Sequence, residues 1–184
     1  AGFMECKSAL TEADGDLDKA ITILRKRGTA QAAKRAGRAT KQGVTGSYIH
    51  PGGSVGVLVE INCESDFVAR TDDFKTLVKE VAMHIAASSP TYVRVEDIPV
   101  EVIEREKDIF RSQLEGSNKP AQIIDKILDG KINSYYGQVV LLKQPSIRDP
   151  KTTVADLVAA TIAKVGENIS IARFARFKVG EIDK

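Results

Sequence analysis

The sequence predicts an α+β chain, and three observations carry that reading. Apolar residues recur at helical spacing over the first 30 positions and again beyond residue 66; the period drops to two between residues 44 and 63; a second alternating run, Asn168 to Val179, closes the chain. Composition fits a packed globular protein. Of 184 residues, 42% are apolar and 28% charged, and 27 basic side chains stand against 25 acidic ones, so the chain is near neutral and too apolar to stay disordered. No apolar run approaches the roughly 18 residues of a membrane span, and no basic segment precedes an apolar leader. A cytoplasmic chain with no membrane association is expected.

Phe3, Cys6 and Leu10 share one face of a first short helix, and Leu17, Ala20, Ile21 and Leu24 that of a second. Asp14-Gly15 supplies the turn between them, Asp16 is placed to cap the second, and Gly28 after Arg25-Lys26-Arg27 reads as its terminator. Two helices this short need a further partner to bury both faces. The stretch from Thr29 to Thr40 suits an exposed helix or a linker. Val55, Val57, Val59, Ile61 and Cys63 then share one face of a strand, which Pro51-Gly52-Gly53 turns back on Gly46–His50 as a hairpin. Glu64 to Arg70 leads into a helix of about four turns with Phe74, Leu77, Val78, Val81 and Ile85 on its buried stripe and His84 at the edge. Ser89-Pro90 stops it. Pro99 opens a helix running to about Leu114, and Pro120 opens segments near 120–129 and 131–140. Leu141 to Pro145 reads as extended. Thr153 and Asp156 have capping-box spacing for a helix ended by Gly166, and the terminal strand changes phase where Phe174 and Phe177 replace the face of Ile169 and Ile171.

Chemical signals are sparse. Cys6 and Cys63 are too few and too far apart for a disulfide scaffold or a zinc site, and read as thiols of small buried hydrophobes. His50 and His84 form no metal pair on one helical face, there is no phosphate-cradling GxxxxGK[ST], and no nucleophile motif is recognisable. Covalent catalysis, a cofactor and a metal are therefore not expected. Residues 20 to 59 contain no carboxylate, and Arg25, Lys26, Arg27, Lys34, Arg35, Arg38 and Lys41 make this stretch basic. A solvated tether accounts for it better than RNA contact: tryptophan is absent, aromatics total 5%, and no RNA-binding module surrounds it.

Several segments taken together resemble the bacterial elongation factor Ts family, in its short form. They are Ala1 to Leu10 (AGFMECKSAL), Gly46 to His50 (GSYIH), Val55 to Arg70 (VGVLVEINCESDFVAR), Ala82 to Ala86 (AMHIA), Leu141 to Pro145 (LLKQP) and Gly166 to Ile169 (GENI), in family order along the whole chain. Cys63 to Arg70 is the most specific of them. The resemblance implies an N-terminal ubiquitin-associated-like helical module over residues 1–28, a basic linker over 29–42, and over 43–184 an α+β core of antiparallel sheet flanked by helices that carries dimerisation and partner binding. Relative to the family, the first helix of that module, the coiled-coil insertion and one half of a duplicated core are missing, and Ser65 stands where threonine is more common.

The resemblance also implies a function: guanine-nucleotide exchange on elongation factor Tu in translation elongation. The factor binds Tu-GDP, promotes release of GDP and stays bound until GTP arrives, without being an enzyme. Ser65, Asp66, Phe67 and Val68 would dislocate the partner's magnesium ion, with Phe67 as a wedge that Asp66 helps to fix. Phe3, Met4 and His84 would contact the partner, and two copies would pair into a homodimer making a two-plus-two complex. No direct nucleic-acid contact is expected. Structural roles compete at each position: Asp66 as a helix cap, Phe67 as core, Phe3 and Met4 as packing for a missing helix, His84 as a satisfied interior residue. Rival functions are RNA binding through residues 25–41 and a protein-binding scaffold built on the N-terminal helices.

Overall fold

The computed structural model describes residues 2–114 and 120–181. Ala1, at the head of the first family motif, and residues 115–119 and 182–184, assigned to the core, lie outside them. Seven α-helices and three strands are described: α1 (Phe3–Glu12), α2 (Leu17–Arg35), β1 (Gln42–Ile49), β2 (Val55–Cys63), α3 (Asp66–Ala69), α4 (Asp72–Ser88), α5 (Val100–Ser112), α6 (Ala121–Val139), α7 (Val154–Val165) and β3 (Ile169–Lys178). The α+β class holds.

The strands form one antiparallel sheet in the order β1-β2-β3. Pairing of Ile49 with Gly56 and of Gln42 with Cys63 closes the hairpin where alternation placed it. Val57, Val59, Ile61 and Cys63 of β2 are all buried and pack on Phe74, Leu77, Val78, Val81 and Ile85 of α4, with Val154, Val158 and Ile162 of α7 in the same core. The stripe read from the sequence is therefore the one buried. Ser89, left-handed at φ +48°, stops α4, and Thr153 and Asp156 form the capping box of α7. Burial works against the charge of Asp156, but hydrogen bonds from Thr153 and Arg25 outweigh it and hold its carboxyl below the usual range.

Five details differ from the sequence reading. Gly28 does not end its helix: α2 runs unbroken to Arg35, and Gly28 is buried against Ala159 and Ala163 of α7, with room left for a methyl group. Arg25 spans the same junction to Asp156 at 2.6 Å. The segments near 120–129 and 131–140 are one helix, because Gly130 is tolerated on an exposed face. Leu141–Lys143 is a single turn of 3₁₀ helix, with the following Pro145 bridging Thr153. A bulge against Glu60 and Ile61 makes Ala172 the extra residue of β3; Phe174 turns inward after it while Phe177 is exposed on the other face.

His84 is the fifth, lying in the core instead of at a stripe edge, 1% exposed. Gln144 sits opposite it. The Gln144 amide nitrogen donates to the carbonyls of Gln138 (2.7 Å) and Ser88 (3.3 Å), which turns its Oε1 toward His84 Nε2 at 2.9 Å. Nε2 is therefore the protonated nitrogen, and Nδ1 is buried with no partner among the described residues. Burial depresses the His84 pKa below 6.5, against a smaller opposing contribution from Gln144.

Two outcomes follow for stability. A methyl at Gly28 would meet Ala163 Cβ at 3.8 Å, ordinary contact, whereas one at Gly46 would overlap Val78. Gly28→Ala should thus stabilise by about 0.5–1 kcal/mol and Gly46→Ala destabilise by about 1–3 kcal/mol, read from urea midpoints. Because the folded chain resists a proton on His84 that the unfolded chain accepts below pH 6.5, stability should fall as pH drops through that value, by no more than about 1.4 kcal/mol per pH unit. In His84→Gln that component of the pH dependence should vanish from urea titrations between pH 5 and 7.5.

Candidate functional site

The buried phase of β2 ends at Cys63, whose thiol donates to the Ser65 carbonyl at 3.0 Å. Burial pushes this thiol's pKa up, and the nearby Glu167 carboxylate adds to the effect, so it stays a protonated interior group. Ser65 is extended and caps α3, its Oγ accepting from Val68 N at 3.3 Å. The same hydroxyl donates to Glu167 Oε1 at 2.6 Å, and the Ser65 amide donates to Glu167 Oε2 at 2.9 Å. One residue earlier, Glu64 Oε1 accepts the Asn168 amide at 2.6 Å. Val68 drops into the core, and Thr71, the cap of α4, donates its hydroxyl to the Val68 carbonyl at 2.8 Å.

Between these anchors stands Phe67, 77% exposed. Asp66 is also exposed and pairs with Arg70 one helical turn on, at 2.7 Å. The cap expected of Asp66 is thus supplied by Ser65, and the core role weighed for Phe67 belongs to Val68. Ser65, Asp66, Phe67 and Val68 form one continuous ledge: two anchors flanking a carboxylate and a projecting aromatic ring.

Phe3 and Met4 open α1 and are 83% and 69% exposed. Gly2 precedes them as the cap, its amide held by Glu5 Oε2 at 2.9 Å. Behind them α1 and α2 share a small core of Ala9, Ala13 and Ala20 with Leu10, Ile23 and Leu24. His84 does not join either exposed group; its burial leaves it no side-chain surface for a partner to touch.

Of the seven cations in the basic stretch, Arg25 pairs with Asp156, Arg27 with Glu12 and Arg38 with Glu64. Three of the seven charges are therefore paired within the fold. Neither cysteine is in a disulfide, no cluster of His, Cys, Asp or Glu among the described residues could hold a metal ion, and no described helix is long and apolar enough to cross a membrane.

Glu167 and Asn168 are the site residues that the sequence reading passed over. Asn168 is buried and its Nδ2 donates to the carbonyls of Arg38 (2.8 Å) and Ala36 (3.4 Å), joining the end of α2 to the ledge. The Gly166–Ile169 motif was the available signal, but it named no partner for either side chain.

Known proteins show the same pattern over the same span. Residues 17–181 match the family described as Elongation factor TS. The Elongation factor Ts of Geobacter sulfurreducens is 54% identical over 98% of this chain and 84% of its own length. Those of Fervidobacterium nodosum and Koribacter versatilis are 56% and 57% identical, over 98% and 99% of this chain and 92% and 83% of their own. With the fold and the ledge in place, the match extends across both the N-terminal helices and the core, and the chain belongs to the elongation factor Ts family, whose role is guanine-nucleotide exchange on elongation factor Tu in translation elongation.

Proposed function

We propose that the Ser65–Val68 ledge is the element that drives GDP from elongation factor Tu, with Phe67 as the wedge. The observation that carries this is the exposure of Phe67 between two fixed neighbours. A large apolar ring held out in water is costly to the free protein and gains about 1.5–3 kcal/mol when a partner buries it. No bond is made or broken. An exchange factor acts by binding the nucleotide-free partner more tightly than the GDP form, and by linkage the weakening of GDP equals the gain in its own affinity. A ring forced between elements around the partner's magnesium ion leaves phosphate charge unneutralised there, and GDP departs. Asp66, tethered to Arg70, keeps a carboxylate beside the ring where it meets polar groups displaced by it.

Phe3 and Met4 serve a different purpose. Exposed on α1, and joined to the core through the packing of α2 on α7, they offer a second apolar contact that holds the partner in both nucleotide states. Such uniform binding lowers the concentration needed without changing the maximal rate. Direct contact with nucleic acid is not part of this reading.

Two copies pair through the open face of the sheet. Ile49, Gly56 and Phe177 lie in one row across the strands, and Leu58 stands two residues further along β2; the three large side chains are exposed and glycine leaves a hollow between them. Glu60 and Arg173, paired on the same sheet at 2.8 Å, add charges of both signs that a two-fold axis can match. The dimer then carries one ledge per copy and takes two partner molecules.

Release of a fluorescent GDP analogue from elongation factor Tu, followed against factor concentration, tests the wedge. Phe67→Ala should lower the maximal release rate by about tenfold or more with thermal stability unchanged, while Phe3→Ser with Met4→Ser should mainly raise the half-saturating concentration. A wild-type maximal rate in Phe67→Ala would refute the wedge. Leu58→Glu should convert dimer to monomer in sedimentation equilibrium without loss of secondary structure; a wild-type mass would exclude the sheet face as the interface.

A further inference from the structure

We propose that Glu167 is a positioning residue for exchange: its carboxylate locks Ser65 and thereby keeps Phe67 from folding back onto its own molecule. The inference rests on the wedge reading above. An exposed phenylalanine gains by covering itself with any apolar surface within reach, and a four-residue helix cannot hold its own shape against that tendency. Something outside the loop must resist. On the C-terminal side the resistance comes from Val68 in the core and from the Thr71 hydroxyl on its carbonyl. On the N-terminal side Cys63 is buried and its thiol donates to the Ser65 carbonyl, and Glu167 adds the bidentate hold, its two oxygens accepting from the Ser65 amide and hydroxyl at 2.9 and 2.6 Å.

The arrangement is reciprocal. Glu64 reaches from the ledge to the Asn168 amide at 2.6 Å while Glu167 reaches from the α7–β3 turn to Ser65, so two adjacent residues on each side exchange carboxylate contacts. Hydrogen bonds to an ionised acceptor are the stronger kind, and a bidentate pair fixes direction as well as distance. By accepting the hydrogen bond from the hydroxyl, Glu167 also fixes the rotor of Ser65 so that its lone pair faces Val68 N and completes the cap on α3. The turn that aims Glu167 depends on Gly166, left-handed at φ +81° as α7 ends.

A brace that only stabilised the fold would alter unfolding and leave exchange by the folded protein untouched. The measurement is again release of the fluorescent GDP analogue from elongation factor Tu, with the maximal rate and the half-saturating concentration determined separately for wild type, Glu167→Ala, Phe67→Ala and the double variant. Glu167→Ala should lower the maximal rate by about tenfold and move the half-saturating concentration by no more than about threefold. In the Phe67→Ala background the same change should have less than about a twofold effect, because there is no ring left to position. If Glu167→Ala is too unstable to assay, Glu167→Gln keeps the shape and one acceptor, and a loss of about fivefold in the same parameter is expected. Full maximal rate in the folded Glu167 variants, or losses that simply multiply in the double variant, would overturn the positioning role while Phe67→Ala alone still shows the wedge at work. A wild-type rate in Phe67→Ala would overturn both together.

Discussion

The buried face of β2 sets the position of everything that follows it. Val57, Val59, Ile61 and Cys63 must all point at α4, and a strand allows that only in one register, since a slip of one residue would turn the whole set to solvent. Pairing on both sides, with β1 and with β3, fixes the register twice. Once Cys63 is in the core, the chain has a defined point of exit and a defined direction, and Phe67 emerges four residues later. The same core receives Val68 and Phe74, so the ledge is suspended between two buried points of one packed unit. Its accuracy is inherited from the sheet.

The α7–β3 turn uses the same framework from the other side. Ile169 pairs with Cys63, so the first residue of β3 lies beside the last residue of β2. This places Glu167 and Asn168 against Glu64 and Ser65 without any further design, and Asn168 extends the junction to the end of α2. Three segments distant in sequence thus meet at one corner of the sheet. The corner carries the exposed aromatic ring, and the N-terminal helices are attached to the same body through Gly28, Arg25 and Asn168.

What the sequence made legible was whatever depended on short-range periodicity. The alternation of β2, the stripe of α4, the Thr153 capping box and the Gly166 stop are all local patterns, and all lie where they were read. What it hid depended on partners far along the chain. Gly28 looks like a terminator until α7 is set against it, and His84 looks like a stripe edge until Gln144, 60 residues on, covers it. The partner of Ser65 is 102 residues away, and nothing in the local pattern names it. The phase change before Phe174 was legible and is a bulge at Ala172, but Phe177 was grouped with Phe174 although the two stand three residues apart in regular strand, a spacing that puts them on opposite faces. The identities of Phe67, Phe3 and Met4 as candidates came from family resemblance; their exposure is what composition and spacing would have hidden.

The energetics explain why exposure and rigidity have to occur together at this corner. Each tenfold weakening of GDP requires about 1.4 kcal/mol of contact made only with the nucleotide-free partner. Burial of one phenylalanine supplies about 1.5–3 kcal/mol, enough for roughly 10- to 100-fold, if none of it is lost to ordering the loop on binding. Fixing even one flexible residue costs about 1–2 kcal/mol, which would cancel most of that gain. If Phe67 is the wedge proposed above, a mobile ring would bind the partner yet discriminate poorly between its states. The contacts proposed for Phe3 and Met4 would not make up the difference, because whatever is added to both nucleotide states drops out of the ratio. On the wedge reading, the discriminating energy comes from a ring whose ordering was completed when the chain folded, and in this fold the groups positioned to complete it are the Val68 side chain beneath the ledge and the carboxylate of Glu167 beside it.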